Sequence, residues 1–385
     1  SETTKKYLKF SVIKKFIFVV AFFGFIAVPS IQMLTDFVEV EEVESFDEKR
    51  EMAKWDDIQT TSLDTLISSF ESYYKDNFGF RDYFISLNNR WKIQQFKISP
   101  SPSVFIGKEG FYFLDAAHSK EDHTEGRKLS EEFLSSLKEN LLYKKEYIEN
   151  QGGKFYLIVL PDKMSIYSQY MPSRMSVSKS TRFDQIIDYC KGSGIDILDL
   201  RPSLIAQSKK QLIYQKTDSH WNRNGGFKAY QEIMKHLKKS FPSLNYYTAD
   251  QFDIAEHKEN TGDLTTIVGV KNYEENLSYS YTPKANVYKG TLERIEEYQD
   301  YKFAYQATFS YFNPELKQPK LMVMNDSYIN FIQQFFGNHF SESHYFWTQN
   351  FNEARVDEIE PDIFVQLIVE RSLESIVAWD PKEPK

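Results

Sequence analysis

A basic end followed by a long apolar run is the first pattern in the chain. Residues 16–28 contain no polar side chain, and with residues 29–34 the segment reaches nineteen residues. A helix needs about 20 such residues to span a bilayer. Residues 1–15 hold five lysines and one glutamate, and lysines beside an apolar run stay on the cytoplasmic side of a membrane. We predict a signal anchor over residues 1–34 rather than a cleaved signal peptide, since no clear A-x-A site follows. We expect the rest of the chain outside the cytoplasm.

A charged stretch and a helical segment come next. Residues 38–57 are densely charged, which is typical of a solvated stalk. Apolar positions at helical spacing between residues 60 and 98 predict two helices with a break at residues 77–80. The run V-F-I-G-K-E-G-F-Y-F-L at residues 104–114 predicts a β-hairpin with glycines on both sides of its turn.

Beyond residue 130, helical periodicity alternates with short apolar runs. Helices are predicted behind Ser130 as an N-cap and at three later places, which gives residues 133–148, 181–191, 225–240 and 329–336. The apolar runs are typical of strands covered on both faces, and they fall at residues 155–160, 195–200, 321–325 and 362–370. This alternation predicts an α/β fold with a mostly parallel sheet and helices on both faces.

Length and composition suit a folded protein with several parts. Of the 385 residues, 41% are hydrophobic and 26% charged, which excludes global disorder. We divide the chain into a basic N-terminus with anchor (1–34), a charged stalk with a helical segment (35–100) and a globular domain (101–385). Within the globular domain, residues 244–318 are polar and tyrosine-rich, and we interpret them as an insertion of uncertain structure.

Charge and cysteine content exclude further classes of function. The net charge is −8, and it is −12 without residues 1–15, so there is no basic excess to indicate a nucleic-acid partner. The single cysteine, Cys190, can form neither an intrachain disulfide nor a Cys-rich zinc or iron–sulfur site.

A first candidate for chemistry is the segment K-T-D-S-H-W-N-R-N-G-G-F at residues 216–227. Asp218 and His220 lie two residues apart, directly before a predicted helix. A carboxylate at this spacing can accept an imidazole N–H and so orient the ring for base catalysis. The alternative reading is a surface aspartate beside a structural histidine.

A second candidate is Ser327, in the segment L-M-V-M-N-D-S-Y-I-N-F at residues 321–331. A serine directly after a buried strand presents its hydroxyl at the sheet edge. Its own N–H then lies near a helix start, where it can stabilise an oxyanion. The alternative is that Asp326 or Ser327 only caps the helix.

Together these motifs resemble those of the alginate O-acetyltransferase AlgJ/AlgX-like family, which are exported, SGNH-hydrolase-like enzymes that acetylate bacterial exopolysaccharides. Residues 217–226, T-D-S-H-W-N-R-N-G-G, are similar to the family's T-D-x-H-W-x-x-x-G. Residues 104–113 resemble its V-x-x-G-K-x-G-W-L-F, and residues 160–167 its P-x-K-x-x-I-Y. N-D-S-Y at 325–328 stands where G-D-S-F is usual, and residues 361–373 resemble its P-D-V-V-V-x-x-x-x-E-R-x-L. The likeness covers roughly residues 75 to 375, without 244–318.

The resemblance implies a catalytic triad with Ser327 as nucleophile, His220 as general base and Asp218 as the acid that orients it. The chain order Asp–His–Ser is reversed from ordinary SGNH hydrolases, and the resemblance therefore implies an SGNH-hydrolase-like fold with permuted motif order.

The same motifs suggest donors for an oxyanion. The N–H of Ser327 is the main expected donor. Asn325 replaces the family's glycine, whose absence of a side chain permits close approach, and its amide is a further candidate donor. Asn222 and Arg371 are additional candidates, with a structural ion pair between Glu370 and Arg371 as the alternative for the arginine.

The function implied is a membrane-anchored O-acetyltransferase that passes acetyl through an acetyl-serine to hydroxyls of an extracytoplasmic polysaccharide. No metal or other cofactor is expected. The expected partners are the polysaccharide acceptor, a membrane-bound O-acyltransferase that supplies acetyl, and the membrane itself through the N-terminal helix. The expected location is the bacterial inner (cytoplasmic) membrane, single-pass, with a periplasmic or otherwise extracytoplasmic catalytic domain.

Two other functions stay open. One is an SGNH-type carbohydrate acetylesterase with the same triad, and the other is a non-catalytic glycan-binding protein of the envelope. The −12 charge argues against a strongly anionic acceptor such as alginate.

Other reactive residues have structural explanations beside a chemical role. His118 and His123 flank two carboxylates, which favours a solvated loop over a metal site. Lys163 and Tyr167 follow a predicted strand, where they either line the site or only pack.

Overall fold

A computed structural model describes residues 2–39, 51–259, 262–270, 276–288, 293–297 and 308–379. Much of the predicted charged stalk, residues 38–57, and part of the predicted insertion, residues 244–318, fall outside these ranges. The chain divides into two compact units, one of residues 1–100 with 265–271 and one of residues 101–264 with 272–385.

The described helices, in chain order, are α1 (Glu2–Thr35), α2 (Leu63–Asn77), α3 (Arg81–Phe96), α4 (Ser119–Glu125), α5 (Glu131–Asn150), α6 (Lys163–Ile166), α7 (Arg182–Cys190), α8 (Arg201–Ser208), α9 (Arg223–Lys238), α10 (Asp263–Ile267), α11 (Gln333–Phe336) and α12 (Glu353–Ile359). Five of the described helices, α2, α5, α7, α9 and α12, begin at a residue whose side chain caps them. Ser130 caps α5 by accepting the N–H of Phe133, as the sequence predicts.

The strands are short and mostly buried. In chain order they are β1 (Val104–Ile106), β2 (Tyr112–Leu114), β3 (Lys154–Leu160), β4 (Ile197–Asp199), β5 (Phe252–Glu259), β6 (Asn276–Pro283), β7 (Glu293–Glu297), β8 (Thr308–Phe312), β9 (Lys320–Asn325), β10 (Glu342–Trp347) and β11 (Ile363–Val369). β1 and β2 form the predicted hairpin, whereas β5 and β6, which are separated by α10, pair as a second antiparallel two-stranded sheet.

Helices α1, α2 and α3 belong to the first unit. The segment Ile13–Thr35 of α1 has 23 residues and a mean hydropathy of 2.2, so it is long and apolar enough to cross a membrane by length and composition. The predicted break between α2 and α3 lies at residues 78–80, where Phe80 has a φ of 64°.

A seven-stranded mixed sheet, in the order β4-β3-β11-β9-β10-β8-β7, is the centre of the second unit. The pairs from β4 to β10 are parallel, whereas β8 pairs antiparallel with β10 and with β7. The expectation of a mostly parallel sheet is therefore corrected to a mixed sheet. The two antiparallel strands come from the polar segment 244–318, where weak apolar periodicity hid them from sequence analysis.

Both faces of the central strands β9 and β11 are buried. Successive side chains of a strand point to opposite faces, so each strand contributes to two hydrophobic cores. In β9, Leu321 and Val323 pack in one hydrophobic core with α8 and α9, whereas Met322 and Met324 pack in another with α5 and α7. Burying one such side chain stabilises the fold by roughly 1.5–3 kcal/mol.

The predicted helix at residues 329–336 is not regular. A 3₁₀ turn covers Ser327–Phe331, and only the four residues of α11 follow as α-helix. The interruption lies at Ile332, whose φ of −124° is not helical. Ser327 therefore lies at the first position of a short turn directly after β9.

Candidate active site

The structure brings Asp218, His220 and Ser327 together at the carboxyl ends of the parallel strands. His220 Nδ1 lies 2.8 Å from Asp218 Oδ1, and His220 Nε2 lies 2.7 Å from Ser327 Oγ. A carboxylate only accepts hydrogen bonds, so Nδ1 carries the proton and Nε2 is free to accept the Ser327 hydroxyl. Both Asp218 and His220 are mostly buried, with side chains 17% and 19% exposed.

The end of β9 is joined to the end of β11 through Asp326. Its Oδ1 accepts the N–H of Tyr328 at 3.1 Å, and its Oδ2 accepts the N–H of Val369 at 2.7 Å. Asp326 therefore caps the turn that carries Ser327, which is the capping role that the sequence offered as an alternative. Its carboxylate also ties that turn to the neighbouring strand, and burial raises its pKa.

The loop that carries Asp218 is held by Lys163, a residue at the start of α6. Its ammonium donates to the main-chain carbonyls of Gln215, Lys216 and Asp218 at 3.0, 2.9 and 2.6 Å. Burial lowers the pKa of Lys163 to about 7, whereas three carbonyl acceptors favour the ammonium form, since it has three N–H donors. Sequence analysis left the role of Lys163 open, and the structure gives it a positioning contact to the loop.

Asn222 is the N-cap of α9 and lies two residues after His220. Its Oδ1 accepts the N–H of Gly225 at 3.1 Å, and its Nδ2 donates to the Leu212 carbonyl at 2.9 Å. A Cβ at Gly225 would lie 2.2 Å from the Ile213 carbonyl oxygen, so only glycine permits this close approach. Asn222 is thus a helix cap, and the expectation that it donates to an oxyanion is not supported by these contacts.

A second carboxylate, Asp263, lies beside the same histidine. Its Oδ2 is 3.6 Å from His220 Nδ1, and its main-chain N–H donates to Asp218 Oδ2 at 3.0 Å. Its Oδ1 accepts the N–H of Ser219 at 2.7 Å, and its other oxygen accepts the Ser219 hydroxyl. Sequence analysis missed Asp263 because it lies in the segment left as an insertion, and no periodic pattern or quoted motif singled it out.

The two carboxylates set the protonation of the site. Burial by itself would lower the pKa of His220, but the hydrogen bond and charge of Asp218, followed by the charge of Asp263, raise it above its ordinary value. Burial favours protonation of Asp218, yet its bonds to His220 lower its pKa. Burial and the charge of Asp218 raise the pKa of Asp263.

These groups can also be considered as metal ligands. One ligand atom from each of Asp218, His220 and Asp263 lies within 4.8 Å of the others. The Nδ1 nitrogen of His220 is already hydrogen-bonded to Asp218, and both oxygens of Asp263 accept from Ser219. Hydrogen bonds within the protein therefore explain why these three side chains lie close together around the His220 ring.

Asn325 is the best placed of the further oxyanion candidates. It is the last residue of β9 and is 2% exposed, and both polar atoms of its amide have no hydrogen-bond partner among the described residues. By strand alternation its side chain points to the same face as Leu321 and Val323, whose core also contains Trp221 next to His220. A buried amide without partners is costly unless another group satisfies it.

Arg371 contacts Asp162 and Tyr328. Its Nη1 donates to Asp162 Oδ1 at 2.6 Å, and its guanidinium lies over the Tyr328 ring at 5.5 Å. Glu370 has other partners, since its Oε2 accepts from the Asp162 N–H and from Ser165. Arg371 thus forms a structural ion pair, but its partner is Asp162 rather than the expected Glu370, which lies 3.7 Å from Arg201.

The other candidates bond to residues other than Asp218, His220 and Ser327. His123 bonds to the Ser119 carbonyl and the Ser165 hydroxyl, both at 2.7 Å, whereas His118 is exposed and 3.3 Å from Glu121. Tyr167 accepts the Ile213 N–H through its hydroxyl at 3.0 Å. The solvated-loop reading holds for His118, but it is wrong for His123, which is 4% exposed within α4, and Tyr167 packs rather than lining the site.

The α/β fold and a family comparison define the class of this protein. The family described as "SGNH hydrolase-like domain, acetyltransferase AlgX" matches residues 104–302, just over half of the chain. The chain belongs to this family, as the resemblance of its motifs predicts.

Curated relatives agree with this assignment. The chain is similar to the probable alginate O-acetylases AlgJ of Pseudomonas syringae pv. tomato and Pseudomonas aeruginosa. It is 23% identical to the first over 235 residues, which is 57% of this chain and 56% of the relative. It is 21% identical to the second over 210 residues, which is 53% and 50%. The chain thus spans about half the length of the curated relatives it matches.

Among solved structures, the chain is similar to Bacillus cereus PatB1. The TM-score is 0.54 at 14% sequence identity, and the similarity covers 73% of this chain and 99% of PatB1. At this identity the likeness concerns the fold.

Proposed function

We propose that this protein is a membrane-anchored O-acetyltransferase that passes an acetyl group through Ser327 to hydroxyls of an extracytoplasmic polysaccharide. The observation that carries the proposal is the pair of hydrogen bonds at His220, 2.7 Å to Ser327 Oγ and 2.8 Å to Asp218 Oδ1. This pairing of nucleophile, base and orienting acid is what acyl transfer through serine requires. Family membership supports acetyl as the acyl group.

In the first step Ser327 Oγ attacks the carbonyl carbon of the acetyl donor while His220 Nε2 takes the hydroxyl proton. The charge that develops on the carbonyl oxygen would be stabilised by the N–H of Ser327 and by the amide of Asn325. The tetrahedral intermediate then expels the donor's oxygen, which takes the proton from His220. Ser327 is left as an acetyl ester.

In the second step a sugar hydroxyl replaces the donor. His220 removes its proton as the oxygen attacks the acetyl carbon, and the proton then passes to Ser327 Oγ as it leaves. During both steps the imidazolium is stabilised by the carboxylates of Asp218 and Asp263, 2.8 and 3.6 Å from Nδ1. Their charges make His220 a stronger base, which is the role that we assign to them.

For the acceptor we propose a cavity of about 320 Å³ beside α9, near the lower limit of typical ligand sites. It is lined by amides and aromatic rings, among them Gln207, Gln211, Asn224, Tyr279 and Tyr281. Amides both donate and accept, as sugar hydroxyls do, and the side-chain amides of Gln207 and Gln211 have no partner among the described residues. The acidity of the chain favours a polymer without strong negative charge, so alginate itself is not our proposed acceptor.

Membrane attachment is proposed through α1. Ser30 Oγ lies 2.8 Å from the Tyr74 hydroxyl, and the Gly79 N–H donates to the Pro29 carbonyl at 3.0 Å. These contacts favour a retained anchor, because a cleaved peptide would leave them unmade. We place the protein in the bacterial inner membrane with its catalytic part outside the cytoplasm. A membrane-bound O-acyltransferase would supply acetyl there.

The experiment is an acetyl-transfer assay with the full-length protein in nanodiscs. p-Nitrophenyl acetate serves as donor and neutral oligosaccharides as acceptors, and mass spectrometry follows the acetyl group on glycan and on Ser327. We expect Ser327→Ala and His220→Ala to abolish transfer, whereas Ser243→Ala, which removes a distant exposed hydroxyl, leaves it unchanged. Donor hydrolysis without transfer to any glycan would identify an acetylesterase instead. Full activity in both triad variants would contradict catalysis at this site.

A further inference from the structure

Helices α2 and α3 expose apolar side chains along their length. On α2 these are Leu63, Leu66, Ile67 and Phe70, at helical spacing on one face, with 37–70% of each side chain exposed. On α3 they are Tyr83, Phe84, Leu87 and Trp91, again on one face, with 39–54% exposed. Scattered exposed apolar residues are ordinary, but two continuous stripes on adjacent helices indicate a surface that is covered by something.

Two polar side chains lie on the buried side of α3. Its buried residues are Ser86 and Asn89, at 3% and 4% exposure, together with Ile93, whereas the four apolar residues of the stripe are exposed. Asn89 is held inside by a hydrogen bond from its Nδ2 to the Val268 carbonyl at 2.9 Å. The apolar stripe is therefore outside because the polar face is tied to the interior of the unit.

The turn between α2 and α3 contacts α1 a few residues before the C-terminal end of that helix. A Cβ at Gly79 would lie 2.5 Å from both the Gln32 side chain and the Pro29 carbonyl oxygen, so the two elements are in direct contact. Pro29 is six residues before the end of α1, which corresponds to ~9 Å along a helix axis. If α1 spans a bilayer, this contact puts the hairpin tip near the boundary between the headgroups and the acyl chains of the outer leaflet.

We propose that the α2–α3 hairpin lies on the outer leaflet of the membrane, with its two apolar stripes in the headgroup region. The proposal rests on the insertion of α1, which is part of the proposed function. Tyrosine and tryptophan are the residues that membrane interfaces favour, and Tyr83 and Trp91 are in the α3 stripe.

The chain is convenient for a depth measurement because its single cysteine, Cys190, is buried. In a Cys190→Ala background, full-length protein is given one new cysteine at Leu66 or Leu87, in the stripes, and labelled with the environment-sensitive dye NBD. Phe22→Cys in α1 reports on membrane insertion, and Ser72→Cys on the opposite face of α2 is the matched control. Each protein is placed in nanodiscs of phosphatidylethanolamine and phosphatidylglycerol with or without doxyl-labelled lipid as quencher.

We expect lipid quenching at Leu66→Cys and Leu87→Cys to exceed that at Ser72→Cys by about two-fold or more, with blue-shifted emission. Thermal unfolding of each labelled protein checks that the label has not disrupted the hairpin. Strong quenching at Phe22→Cys with none at Leu66→Cys and Leu87→Cys would overturn the placement of the hairpin but not the membrane anchor. The stripes would then be a surface that binds another protein. Absence of quenching at Phe22→Cys would overturn the anchor and the hairpin placement together. None of these outcomes depends on acetyl transfer, so they are separate from the catalytic proposal.

Discussion

Replacing Asp263 with asparagine tests whether the second carboxylate tunes the base. Asp263→Asn keeps an oxygen that accepts the Ser219 N–H, so the loop contact is preserved while one negative charge is removed. His220 must be neutral to act as a base, and a nearby carboxylate raises its pKa by stabilising the imidazolium. Removal of that charge lowers the pKa of His220, and activity should persist to lower pH.

The size of the shift follows from the 3.6 Å between Asp263 Oδ2 and His220 Nδ1. Coulomb's law gives ~1.2 kcal/mol for unit charges at this distance with the dielectric constant of water, and ~4.6 kcal/mol with an effective dielectric constant of 20. The Asp263 side chain is 36% exposed, so water screens the pair and the lower value is the better guide. At 1.36 kcal/mol for each pKa unit, we expect a shift of about 1 pH unit.

The assay is the pH dependence of kcat/KM for hydrolysis of p-nitrophenyl acetate, whose acidic limb reports the pKa of the base in the free enzyme. Asp253→Asn, which removes a carboxylate from the exposed part of β5, is the matched control and should not move the limb. An acidic limb that stays in place in Asp263→Asn, or moves to higher pH, would refute the electrostatic role.

Three further outcomes are expected. Lys163→Met removes an ammonium bonded to one buried and two partly buried carbonyls, which should lower the free energy of unfolding in urea by about 3 kcal/mol, whereas exposed Lys209→Met should not. Burial lowers the pKa of His339 to about 4, so the native state resists protonation and stability falls as the pH drops from 6.5 to 4. Over that pH range the free energy of unfolding of His339→Gln should fall by up to about 3 kcal/mol less than that of the unsubstituted protein. An unchanged slope of the unfolding free energy against pH would contradict this. The double variant Gln207→Ala/Gln211→Ala should raise KM for an oligosaccharide acceptor about ten-fold with kcat unchanged, and an unchanged KM would place the acceptor elsewhere.

Local patterns predicted much of the regular structure. The break between α2 and α3, the Ser130 cap and the strands β3, β9 and β11 follow from periodicity and capping, which depend on residues close in the chain. The antiparallel strands β7 and β8 were not predicted, because their pairing depends on a sheet edge formed by distant residues. The irregular turn after Ser327 was also missed, since Asp326 caps it while bound to Val369 on another strand.

By itself, the sequence determined the apolar helix, the α/β class and, through the likeness of its motifs, the residues Asp218, His220 and Ser327 as candidates. Those properties depend on residues that are close together in the chain, so the local sequence pattern predicts them. Only the tertiary structure decided that Lys163 holds the Asp218 loop and that Asp263 is a second carboxylate at His220. Hydrogen bonds and charges act over a few ångströms in space whatever the separation along the chain, and those distances exist only once the loops have packed.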